Sequence, residues 1–364
     1  MRPSHKPDMR KNILLNRMYS FLLKSFLFLS LISLSCKGQK PLSTKKDFSN
    51  YILLDLPQGK ELIISDTKDL FFDKIGILDM ELQMGESQKA SSRSEVLKSY
   101  QSFLTKSVLT FSSEENKLIS ETLDSCFALI KEFLPELNIP RLKILKISPN
   151  HYGPSVYYTR ENAILIPSNV LSPLSMDALL PVMLHEISHI LLRYNDKIKS
   201  KSYRLIGFKK ISKPIEYSTP ILERLLSNPD GLDNSFAISL ISDSEKVLCL
   251  PTLVSSQSEL SPMIKGFMNY IKFDLYQLEE QADSYTVLSN DEGFSTVSPQ
   301  FMTSFFEQIK DNTQYIIHPD EIIADNFMMF LISSRDDTLD NYSDSGEKLL
   351  RDLANLLNDP NNQN

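Results

Sequence analysis

Apolar residues recur at helical spacing in two pieces across residues 92–137. The break falls near Thr110-Phe111-Ser112-Ser113, where Ser113 followed by Glu114 and Glu115 suits a helix start. Residues 141–148 alternate partly and predict a strand. Residues 155–159 and 163–167 flank Arg160-Glu161-Asn162 and predict a hairpin with its turn at Glu161-Asn162. Residues 179–192 are apolar almost throughout and predict a buried helix. Pro181 inside that run implies that the helix begins near it or kinks there. Asn228-Pro229-Asp230-Gly231 marks a tight turn. It precedes strand-like runs at 236–241 and 246–250, the second ending at Pro251. Residues 261–289, 299–310 and 320–332 read as helices, residues 51–85 as short mixed elements, and the polar end at 354–364 as a frayed tail. There is no internal repeat.

With 364 residues, 41% hydrophobic and 23% charged, the chain has an ordinary globular composition. The net charge of −7 excludes the basic footprint of a nucleic-acid binder. Residues 1–36 differ from the rest. Arg2, Lys6, Arg10, Lys11, Arg17 and Lys24 precede an apolar core at 25–35, the pattern of a secretory signal peptide. Eleven residues are too few to span a bilayer comfortably. Cys36 then follows Ser35, an arrangement that resembles the bacterial lipobox, although Ser33 stands where an aliphatic residue is preferred. The expectation is an extracytoplasmic chain with membrane attachment through a lipidated Cys36; plain secretion and a retained anchor are the alternatives. The expected organisation is a signal segment (1–36), a tether (37–50), a mainly helical region (51–139), an α+β domain with a small mixed sheet (140–353) and the tail. Cys126 and Cys249 read as buried small hydrophobes.

His185-Glu186-Ile187-Ser188-His189 is an H-E-x-x-H motif inside the apolar helix. Positions i and i+4 share one face, so both imidazoles can reach one metal ion. Glu186 is offset around the helix, which suits a carboxylate that contacts an activated water rather than the metal. A catalytic zinc needs a third protein ligand. The residues after His189, Leu192-Arg193-Tyr194-Asn195, lack the Gly and His of metzincin spacing. Two downstream segments read E-x-x-A-D, namely Glu279 to Asp283 and Glu321 to Asp325. On a helix, such a Glu can bind metal while the Asp one turn later orients a ligating histidine.

The combination resembles the gluzincin zinc metallopeptidases. Glu321-x-x-Ala324-Asp325-x-Phe327 looks like the third-ligand helix of thermolysin-like and lethal-factor-like enzymes. The stretch 312–327, with the 204–208 and 227–231 segments, resembles an uncharacterised bacterial zincin family, so that the resemblance covers about residues 140–335. Glu279 to Leu288 resembles the CAAX-protease-like membrane zincins, which keeps Glu279 open as the alternative third ligand; Glu321 is preferred. The resemblance implies a zincin-like catalytic domain holding Zn²⁺ on His185, His189 and Glu321. It further implies Glu186 as general base, Asp325 behind a ligand imidazole, and Tyr315 as the hydroxyl that steadies the oxyanion. His318 is either a second donor or a helix-entry residue. His151 reads as a surface residue. The expected activity is peptide-bond hydrolysis on a peptide or protein substrate, with the strand at 163–166 as the edge that pairs with it. The alternative is a zincin fold kept as a non-catalytic surface binding module.

Overall fold

A computed structural model describes residues 50–87, 92–171 and 175–363, all within the unit Phe48–Asn364; Cys36, the apolar core before it and the tether to residue 49 lie outside the described residues. Five strands form the first sheet: β1 (Tyr51–Leu53), β2 (Val108–Leu109), β3 (Leu142–Ile147), β4 (Tyr158–Arg160) and β5 (Ala163–Pro167). Their order is β1-β3-β5-β4, with β2 antiparallel on β3. β1, β3 and β5 run parallel, and β4 returns antiparallel on β5 through the expected Glu161-Asn162 turn. All five residues of β5 are buried, as parallel strands covered on both faces require. β5 is therefore interior, and the outer edge belongs to β4, not to residues 163–166 as expected.

Ile144, Ile164 and Ile166 pack into the main core with the helices Ser113–Phe133 and Met176–Tyr194. On the other face, helix Leu56–Ile63 lies on the sheet at Gly59. A Cβ there would stand 2.4 Å from Leu145 Cδ1 and 2.9 Å from Val108 Cγ1. Ser92 and Ser112 each form a capping box, with Glu95 and Glu115, and so start the two long helices Arg93–Lys106 and Ser113–Phe133. The region 51–139 is made mostly of helices, and its two short strands β1 and β2 pair with β3 to complete the first sheet.

The second sheet holds β6 (Phe208–Lys210), β7 (Ile215–Glu216), β8 (Leu225–Leu226), β9 (Phe236–Ser242), β10 (Glu245–Ser255), β11 (Ile271–Glu280) and β12 (Tyr285–Val287). The order is β6-β9-β10-β11-β12-β7, with β8 on β10. The expected helix over 261–289 is thus wrong. Ile271, Phe273 and Leu275 alternate with polar neighbours, a period of two, and β11 lies antiparallel to β10. β10 also runs through Pro251 to Ser255. Pro251 falls between the stretch that pairs with β9 and the stretch that pairs with β8, where its missing N–H breaks no ladder.

Three helices follow, Met302–Ile309, Pro319–Asp336 and Asp344–Leu357. The tail is packed, not frayed: Asn362 is buried, its carbonyl accepts from Asn195 Nδ2 and its Oδ1 accepts from Lys201 Nζ. His151 is buried too, contrary to expectation, between the Tyr158 hydroxyl at 2.5 Å and the Ser107 hydroxyl at 2.6 Å. Cys126 and Cys249 are buried and unbridged. No described helix is long and apolar enough to cross a membrane.

Candidate metal centre

The metal-motif helix, Met176–Tyr194, starts at Ser175, whose hydroxyl accepts from Ala178 N. It begins five residues before Pro181, which is accommodated inside it. Every residue from Leu179 to Leu192 other than Pro181 is buried, so the run reads as apolar all round because it is enclosed all round. The ligand helix, Pro319–Asp336, packs along it. Ala324 is fully buried there, and its small side chain suits a close approach of the two helices.

His185 Nε2 and His189 Nε2 lie 3.0 Å apart. Glu321 Oε2 stands 3.2 Å from the first and 3.4 Å from the second. All three side chains are buried, and they form a group able to hold a metal ion. Each imidazole is steadied through its other nitrogen. His185 Nδ1 is 2.9 Å from Asp325 Oδ1, and His189 Nδ1 is 2.8 Å from Asp320 Oδ1. A carboxylate partner there fixes the proton on Nδ1 and turns the Nε2 lone pair inward. Both carboxylates are held in turn, Asp325 by the Thr313 hydroxyl and Asp320 by the Tyr203 hydroxyl. Asn228 Nδ2 donates to Glu321 Oε1 at 2.6 Å.

Charge is concentrated here. Burial alone would lower the pKa of His185, but its bonds to Asp325 and Glu321 outweigh this and raise it to about 10. Burial would push Glu321 up, yet the two histidines hold it well below the usual carboxylate range. Glu186 is only 4% exposed, and its Oε2 has no hydrogen-bond partner among the described residues. Burial, with the Asp230 charge next in size, raises Glu186 to about 8. Glu186, His189 and Asp230 form a second close group, which Asp230 enters from the 228–231 turn.

That turn is anchored from three sides. Ser227 N donates to buried Asp79 at 2.7 Å. Asp230 Oδ1 accepts from Thr159 N and from Thr159 Oγ1, both at 2.6 Å. Gly231 lies against His318, where a Cβ would stand 2.1 Å from Nδ1. His318 itself caps the ligand helix, its Nδ1 accepting from Asp320 N at 3.1 Å, and so acts as a helix-entry residue. Arg193, on the last turn of the metal-motif helix, donates to Thr159 Oγ1, Glu161 O and Pro229 O and pairs with Asp69 at 2.6 Å.

His185, Glu186, His189, Glu321, Asp325 and Tyr315 therefore come together. The Tyr315 ring stacks on His185 with centroids 5.9 Å apart. Glu279 does not join them. It lies at the exposed end of β11 opposite Thr286, and Asp283 falls in the bend after the strand ends at Glu280, so the two carboxylates are not stacked one helical turn apart. Asp320, Asn228, Asp230, Thr159 and Arg193 are additions to the sequence reading, as is Tyr157, whose pKa is raised by burial and by the nearby Glu186 charge. Asp320, beside Glu321, was the most accessible of them to sequence reasoning. Comparison with protein-family models, with curated proteins and with solved structures finds no match to this chain.

Proposed function

We propose that the chain is a zinc-dependent peptide hydrolase. The observation that carries this reading is the donor triangle of His185, His189 and Glu321, with edges of 3.0, 3.2 and 3.4 Å. A tetrahedral zinc with nitrogen and oxygen ligands at 2.0–2.1 Å requires donor separations of about 3.3 Å. Two imidazoles and one carboxylate, each imidazole backed by an acid, are a zinc-type donor set.

Bound zinc supplies a Lewis acid that acidifies a water toward pKa of about 7 and polarises a substrate carbonyl. Glu186 takes the proton from that water and returns it to the departing nitrogen. Its unpartnered Oε2, buried beside His189, leaves it available for that exchange. Tyr315, stacked on His185, offers a hydroxyl to the developing oxyanion. Asp325 and Asp320 keep the imidazoles turned inward. A non-catalytic module would need the three ligands alone, and a buried carboxylate without a partner is costly to keep for no purpose. Metal analysis of the purified protein, with peptide hydrolysis measured before chelation, after it and after zinc is restored, tests the reading. One zinc per chain and zinc-restored hydrolysis are expected; a metal-free chain, or activity indifferent to chelation, would refute it.

The basic and apolar start of the sequence supports an extracytoplasmic chain tethered through Cys36. Mass spectrometry of the mature amino terminus tests this, and a terminus other than an acylated Cys36 refutes it.

A further inference from the structure

Glu186 and Asp230 place two carboxylates side by side at the centre, and the geometry around Asp230 gives the second one a use. The hairpin register fixes which backbone groups face outward. Arg160 and Ala163 flank the two-residue turn as a hydrogen-bonded pair, so Thr159 opposite Ile164 is the alternate pair. Its N–H therefore points away from β5, at the outer edge of the sheet, which is buried here under the 228–231 turn and Arg193. Asp230 Oδ1 takes both that N–H and the Thr159 hydroxyl. The other Asp230 oxygen accepts no hydrogen bond from any described residue. No described Lys or Arg lies within ion-pair distance of Asp230; the Arg193 charge acts on it from farther off, while the Arg193 nitrogens engage Asp69, Thr159, Glu161 and Pro229. Asp230 stays outside the His185–His189–Glu321 triangle and makes its own close group with Glu186 and His189, their ligand atoms within 4.8 Å of one another. The buried, unpartnered Glu186 Oε2 points to a ligand at the same place.

Resting on the peptide-hydrolase reading, we propose that the substrate is a peptide with a free amino terminus, whose α-ammonium is held by Asp230. Backbone dimensions then fix the bond that is cut. An α-nitrogen lies about 2.5 Å from the carbonyl carbon of its own residue. An ammonium held against Asp230, beside the base Glu186, therefore brings the first peptide carbonyl to the reacting centre and no later one. Water adds its oxygen to that carbonyl carbon, the C–N bond breaks, and the water's proton passes through Glu186 to the departing nitrogen. The products are one free amino acid and a peptide shorter by one residue.

The test uses the full chain loaded with zinc and a pair of identical peptides, one with a free and one with an acetylated amino terminus. The free peptide should lose its first residue with kcat/KM at least about 100-fold above that of the acetylated one. Asp230→Asn should remove this preference, mainly through KM, while zinc content stays unchanged. Equal rates on the two peptides, cleavage at internal bonds, or a preference that survives in Asp230→Asn would overturn the inference and leave the hydrolase reading standing. If the zinc-loaded chain hydrolyses neither peptide, the hydrolase reading fails. Calorimetric binding of the same pair then decides the anchor by itself: tighter binding of the free amine, lost in Asp230→Asn, supports it, and equal affinity overturns it.

Discussion

On the proposed function, Glu186 and the two acids behind the histidines allow chemistry and metal retention to be tested separately, one side chain at a time. Glu186→Gln keeps the shape and burial of the side chain but cannot take a proton. Turnover should fall by at least about 100-fold while zinc stays bound, measured by steady-state kinetics beside metal analysis. Asp320→Ala should do the reverse. It frees His189 Nδ1 and strands the Tyr203 hydroxyl, and zinc affinity should weaken by about 10–100-fold in a chelator competition. His151 supplies a pH dependence away from the metal. Burial lowers it to about 3, below the ordinary histidine value. Its folded pKa is depressed, so the unfolded chain binds more protons between that value and about 6.5. Stability from this group is present above about 6.5 and is lost as pH falls toward 3. His151→Asn should flatten that slope in urea titrations across pH 4–7; an unchanged slope would contradict the assignment. The motif histidines were legible because i and i+4 on an apolar helix admit few meanings. The sequence around His151 points the wrong way, because Asn150 and Gly153 look like a loop, while the Ser107 and Tyr158 that enclose it are distant or hidden in the hairpin.

Among the elements, the turn at 227–231 matters most, since it carries Asn228 to Glu321 and Asp230 to Glu186. Asp79, on helix Ile77–Met84, holds its first N–H. Gly231→Ala would drive a Cβ into the His318 ring, and His318 caps the ligand helix. The variant should lose about 1–3 kcal/mol of stability in denaturant unfolding and also bind zinc more weakly. A cost in stability alone would show that the turn is not coupled to the cage. Asn-Pro-Asp-Gly announced a turn, but a turn's sequence says nothing of what it reaches. The same limit explains Glu279. E-x-x-A-D carries meaning only on a helix, and the alternation of Ile271, Phe273 and Leu275 just upstream outweighs helix propensity once β10 offers a partner. For Glu321, the surrounding apolar residues Ile322, Ile323 and Phe327 fit a helical face, and the helix formed.

Across the whole molecule, the His185–His189–Glu321 group joins two helices separated in sequence by the entire second sheet. Zinc that binds only the folded chain should raise the melting temperature with concentration. The gain is about 4 kcal/mol at a thousandfold excess over Kd, read by calorimetry with and without chelator. The mixed α and β character of the fold could be read from periodicity, but the partnership of residues 51–139 with the rest could not, because parallel pairing leaves no local signal. That partnership extends to buried charge. Asp69 lies between Arg160, at 3.5 Å, and Arg193, at 2.6 Å, and Arg160 rests on the rings of Phe71 and Phe72. A chain clipped after this region would keep two largely buried guanidinium groups without their shared acid, a bare flank on β3 and an uncovered face at Leu145. The segment is thus a permanent wall of the folded unit rather than a detachable guard, and, if the proposed hydrolase reading holds, cutting it away should abolish hydrolysis rather than switch it on.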